Sequence, residues 1–141
     1  MSEEPQFMAV NSKTPAYQQT IAAAQSTLTE FRTLVPELLG TMAFPSVKTE
    51  LRSGEDRAFI WLTVEGLSET GFIASIFEIP CEFSDLAVGD KIEVHNEAVL
   101  DWMYHDNGTI HGGFSLRYQR SLLPPEEQAA FDAHIGATDY A

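Results

Sequence analysis

An α+β domain is predicted: a long N-terminal helix packed on a strongly bent antiparallel sheet of about six strands, with a short C-terminal helix. Three observations predict it. Apolar residues from Ile21 to Leu38 recur with gaps of three and four, which is a helical stripe. From Phe44 the apolar period drops to two, which is the mark of strands with one wet face. No helical pattern separates the strand-like segments, so parallel βαβ units are excluded and a meander curling like half a barrel is expected.

The elements follow in order. Residues 1–13 mix acids, Pro5 and small polar residues without a period and read as a disordered tail ahead of a single domain, 14–141. Thr14 is a good N-cap, and Pro15 loses nothing at the first helical position, where its missing N–H would be unpaired in any case. The stripe Ile21, Ala24, Leu28, Phe31, Val35 and Leu38 must then pack on something. Pro36 should end or kink the helix near Val35, and Gly40 should finish it. Val47, Thr49 and Leu51 alternate with Lys48, Glu50 and Arg52, and Ser53-Gly54-Glu55-Asp56 has turn chemistry, so a hairpin is expected. Ala58 to Val64 is apolar at nearly every position and reads as the central strand, covered on both faces. A strand from Phe72 to Ile79 closes at Pro80, and Val88-Gly89-Asp90 turns into a strand with Ile92 and Val94 inward. Val99 to Tyr104 and Thr109 to Arg120 flank Asp106-Asn107-Gly108, the strongest hairpin signal in the chain. Pro124-Pro125-Glu126-Glu127 opens a helix that uses Phe131 and Ile135 and stops at Gly136.

The chain has 141 residues, enough for one well-cored domain, and its 21 acidic against 8 basic residues give a formal charge of -13. Such a field repels phosphate backbones and anionic lipid, so nucleic acid and membranes are not expected partners. One cysteine, Cys81, makes no internal disulfide and reads as a small apolar residue. The opening Met1-Ser2-Glu3-Glu4-Pro5 has neither the charged nor the apolar part of a secretory signal, so a cytoplasmic monomer or small oligomer is expected.

The candidate chemistry gathers in Asp101 to Arg117. A two-residue Asn107-Gly108 turn pairs His105 with Ile110, Tyr104 with His111 and Trp102 with Gly113. Asp101, Met103 and His105 then share one side, and Trp102, Tyr104 and His111 the other, so the two histidines cannot bind one metal. A three-residue loop through Asp106 would reverse that. Gly112 and Gly113 either let Trp102 lie flat over bare backbone or admit a ligand there. Asp101 either accepts backbone N–H bonds or lines a cleft as a polar anchor. Arg117 falls on the Trp102 side, where its guanidinium either stacks on the indole or grips a carboxylate, with a solvated strand arginine as the plainer reading. No Gly-x-Ser-x-Gly elbow and no phosphate loop is present.

The chain resembles the bacterial family catalogued as domain of unknown function 2314 from about Ala16 to Gly136. The likeness rests on Leu28-Thr29-Glu30-Phe31, Val47-Lys48, Trp61-Leu62, a strand closing at Pro80 and Val88-Gly89-Asp90. Its most specific parts are Asp101-Trp102-Met103-Tyr104 with Asn107-Gly108, and Gly112-Gly113-Phe114-Ser115-Leu116-Arg117. Ahead of Trp61, where similar proteins often carry a Glu-His pair, this chain has Ala58-Phe59, so an activity needing that imidazole would be absent. The resemblance implies one folding unit and no particular reaction, ligand or cofactor.

Three functions follow as expectations. The first is a non-catalytic binding module that meets a protein or small-molecule partner through Asp101, Trp102, Tyr104, Gly112, Gly113 and Arg117. The second is an enzyme or metal-dependent site around Asp101, His105 and His111. The third is an acidic inhibitor or immunity-type protein for a basic partner. No catalytic residue, metal or cofactor is assigned.

Overall fold

The computed structural model describes residues 14–80 and 83–141. The expected tail and Cys81 lie outside the described residues. The chain runs α1 (Pro15–Leu38), β1 (Ser46–Ser53), β2 (Asp56–Leu67), β3 (Gly71–Ser75), β4 (Lys91–His95), β5 (Asp101–Asp106), β6 (Thr109–Gly112), α2 (Phe114–Ser121), α3 (Pro125–Ile135) and β7 (Asp139–Tyr140), with a 3-10 turn at Asn96–Ala98. The strands form one seven-stranded sheet in the order β4-β3-β2-β1-β5-β6-β7. Among the described residues no helix is long and apolar enough to cross a membrane.

Helix α1 starts as its sequence dictates. The Thr14 side chain accepts from the Tyr17 N–H, and Pro15 occupies the first turn. Pro36 does not end the helix at Val35: it sits in the last turn, and the Leu39 N–H still closes on the Val35 carbonyl. Gly40 follows with φ +81, a left-handed conformation that removes any helical continuation. The buried stripe is Tyr17, Thr20, Ala24, Leu28, Phe31 and Val35. It packs on Val47, Leu62, Phe72 and Trp102 from four strands, forming the main core on one face of the sheet. The opposite face carries a second cluster, Leu116, Leu123 and Phe131 of the α2–α3 region, against Trp61, Met103 and Ile135.

The first hairpin closes at Gly54-Glu55 and pairs Lys48 with Trp61 and Glu50 with Phe59. The second closes at Asn107-Gly108, with φ +50 and +89, and pairs Tyr104 with His111 and His105 with Ile110. The parity expected for a two-residue turn therefore holds.

Four further expectations need correction. The strand expected to run from Thr109 to Arg120 stops at Gly112, because Gly112 and Gly113 both take positive φ and turn the chain into α2. Helices α2 and α3 then lie between β6 and β7, and those two strands pair in parallel, Thr109 beside Asp139, so a parallel crossover is present after all. Strand β3 ends at Ser75 and not at Ile79, since its partner β4 begins at Lys91 and the Ile76 backbone instead bonds to Gly89 and Asp90 in the turn before it. Nor is β2 covered on both sides: Phe59 is 41% exposed, and Trp61 on the same face is only partly covered.

Candidate functional site

Each candidate residue takes its place from strand parity and from the double-glycine turn. Asp101 is fully buried on the face toward α2. One carboxylate oxygen accepts from the Trp102 N–H at 2.8 Å and the Phe114 N–H at 3.1 Å; the other accepts from the Ser115 N–H at 2.8 Å and the Ser115 hydroxyl at 2.6 Å. Phe114 and Ser115 open α2, whose own N-cap position is Gly113 and has no side chain to offer. Asp101 thus caps α2 from a neighbouring strand, placing its charge at the positive end of the helix. Burial raises its pKa above the ordinary aspartate value, and the four donors pull it back.

Trp102 points the other way. It is 7% exposed, stacks on Phe31 with centroids 4.8 Å apart, and donates its indole N–H to the Thr27 hydroxyl at 3.0 Å. A Cβ at Gly112 would overlap both the Trp102 carbonyl and its ring, so the glycine exists to let the indole lie on bare backbone. Tyr104 continues the stack, 6.3 Å from Trp102 and 4.6 Å from His111.

Arg117 lies on α2 and does not reach the indole. It donates to the Gly112 carbonyl at 2.8 Å, the Ile110 carbonyl at 3.1 Å and the backbone oxygen of Ala141, and its guanidinium sits over Tyr140. Two of these carbonyls are on β6, and that of Ile110 also accepts the Ala141 N–H, so Arg117 clamps the β6–β7 edge. Trp102, Tyr104 and Arg117 therefore do not form one exposed surface.

Asp101, His105 and His111 do not converge either. His111 faces the Tyr104 side, and Asp101 and His105 are four residues apart on one strand, roughly 13 Å. Among the described residues no group of three His, Cys, Asp or Glu side chains is placed to hold a metal ion. His105 donates from Nε2 to the Ile135 carbonyl at 3.0 Å, and its Nδ1 is buried with no partner among the described residues.

The open feature is a groove on the Asp101 side of the sheet. Phe59 and Trp61 of β2, Met103 of β5 and Ile135 of α3 line a cavity of about 520 Å3, with Phe77 and Pro80 also in its lining. A second cavity of about 600 Å3 shares Phe77, Met103, His134 and Ile135 and extends past His105 to Phe44 and Met42. Its rim is unusually apolar for a chain of charge -13: Phe77 is 49% and Phe44 51% exposed. Sequence reasoning missed these residues, although the signal was present. Lys48 and Glu50 face Trp61 and Phe59 across the first hairpin, and charged partners mark that side of β2 as one that meets water.

Fold and site together define a small α+β domain with a helix-covered face and a partly open one. The chain belongs to the DUF2314 family, uncharacterized proteins conserved in bacteria, whose model matches residues 14–138. Among curated proteins, a putative ankyrin repeat protein of Neisseria meningitidis serogroup B is 32% identical over 57 residues, which is 40% of this chain and 22% of that protein. The chain thus spans less than a quarter of the length of that relative. No solved structure matches the chain.

Proposed function

We propose that the protein is a non-catalytic binding module whose groove takes a partner segment carrying apolar anchors and positive charge. The observation that carries this reading is the exposed aromatic rim, Phe44, Phe59 and Phe77, over a groove between two packed layers. Large apolar side chains left in water by a domain with a sizeable core are a cost unless something covers them. The charge of -13 favours a basic partner and steers its approach. The relative named as a putative ankyrin repeat protein supports the same class of role, since ankyrin repeats stack into extended binding surfaces. Asp101, Trp102, Gly112, Gly113 and Arg117 then serve recognition indirectly, by fixing the β5–α2 junction that forms one wall.

Peptides selected from a random library on the folded protein test the reading. The expected winners combine aromatic or aliphatic anchors with Lys or Arg, and lose on the order of tenfold in affinity with Phe77→Glu. Phe77 is half exposed, so that variant should keep its melting temperature. Winners that bind wild type and Phe77→Glu equally would remove the groove from consideration, and acidic winners would remove the positive charge of the partner.

A further inference from the structure

Three aromatic side chains and one carboxylate line a single cavity of the groove: Phe59 and Trp61 of β2, and Phe77 and Glu78 of the segment after β3. Among the described residues that line it there is no Lys or Arg. Phe59 and Trp61 are two residues apart on one strand, so their side chains leave the same face about 7 Å apart. Tyr17 stacks on Phe59 with ring centroids 6.4 Å apart, and Phe59 still keeps 41% of its surface in water. Lys48 pairs with Trp61 across the first hairpin but turns its charge elsewhere. Its ammonium donates to the Tyr17 hydroxyl at 3.0 Å and the Ser115 hydroxyl at 3.4 Å, and the Ser115 hydroxyl donates in turn to Asp101.

We infer that the positive charge of the partner segment is a trimethylated lysine, its quaternary head held by Phe59, Trp61 and Phe77 with Glu78 beside it. This rests on the groove being a recognition site, and it names the group recognised there. A cation is attracted to an aromatic face within about 6 Å of the ring centroid, and a head lying between two rings about 7 Å apart is inside that distance of both. Hydrogen bonding decides which cation fits. A primary ammonium carries three N–H donors and a guanidinium five, whereas the side-chain oxygen and nitrogen acceptors in the lining are those of Glu78 and His134. Most of those donors would lose water and gain nothing. A trimethylammonium head has no donor to lose. It presents methyl groups to the rings and keeps the charge that Glu78 and a domain of charge -13 attract.

The test takes a basic peptide selected on the full chain and resynthesises it with each basic position, in turn, as lysine, as trimethyllysine and as the uncharged isostere in which a tert-butyl group replaces the trimethylammonium. Because His134 also lines the cavity, calorimetric titrations are run near pH 8, above the ordinary range of imidazole protonation. At one position trimethyllysine should bind about tenfold tighter than both lysine and the isostere. Phe77→Leu and Glu78→Gln, both at exposed residues, should each cut that preference to about threefold or less with the melting temperature unchanged. A preference that survives both variants would place the head elsewhere and overturn the proposal. An isostere as tight as trimethyllysine would overturn the cation, and lysine as tight would overturn the methylation; either result leaves the groove standing while binding depends on Phe77. Free choline binding as tightly as the peptide would make a small quaternary amine the occupant, and the proposal false. Peptides indifferent to Phe77→Glu would overturn the groove and the head together.

Discussion

Asp101 spends both carboxylate oxygens on donors, three of them backbone N–H groups at the start of α2 and just after the aspartate itself. In Asp101→Asn the amide nitrogen must face one of those N–H groups, donor against donor, in a fully buried place. The expected cost is about 2–3 kcal/mol, read in calorimetry as a melting temperature lower by roughly 5–10 °C; a melt unchanged within a degree would show that the cap is dispensable. Trp102→Ala removes the plate on which Phe31 and Gly112 rest and should cost about 3–5 kcal/mol. Equilibrium denaturation checks it, and a loss below about 1 kcal/mol would place the indole outside the core. Both residues were legible as unusual, an acid in a strand and a Trp opposite glycines. What could not be read was which face each addressed, because the sequence does not say where α1 and α2 pack.

The elements divide along the same line. Hairpin register was legible at Asn107-Gly108, since a two-residue turn fixes parity and every later pairing follows from it. Helix α2 was not, because Phe114, Leu116 and Tyr118 recur every second residue and imitate a strand; only two successive glycines with positive φ reveal the break. Once formed, α2 is tied to α3 by Arg120, whose Nε and a terminal nitrogen meet the two Asp132 oxygens at 2.8 and 3.0 Å while the Tyr140 hydroxyl donates to one of them at 2.6 Å. Those bonds, that from Arg120 foremost, hold the Asp132 pKa below its ordinary value of 3.8. Its stabilising contribution is thus present above about 3.8 and is lost as the pH falls through the lowered folded-state value. Asp101, raised by burial, has the opposite sign: its contribution is complete below 3.8 and declines as the pH rises through its folded-state value. Asp132→Asn should cost about 1 kcal/mol at neutral pH, the pair being partly exposed, and should flatten the loss of stability on acidification. Urea titrations at several pH values check this; an acid limb as steep as in wild type would mean that other carboxylates set it.

At the scale of the whole molecule, one number acts on stability and on recognition with opposite signs. A charge of -13 on one domain is self-repulsion that the folded state must bear more than the expanded chain does. Raising the ionic strength from about 0.02 to about 0.5 M contracts the screening length severalfold, so the melting temperature should rise by several degrees. The same screening weakens attraction for a basic segment at the groove, and affinity for a basic peptide should fall about tenfold over that range, with most of the change in the association rate. An apolar contact alone would strengthen slightly or stay level. Differential scanning fluorimetry and stopped-flow binding on one salt series therefore separate the two contributions. A melting temperature that climbs while peptide affinity holds constant would mean that the aromatic rim binds without help from charge, and the basic character of the partner would have to be given up.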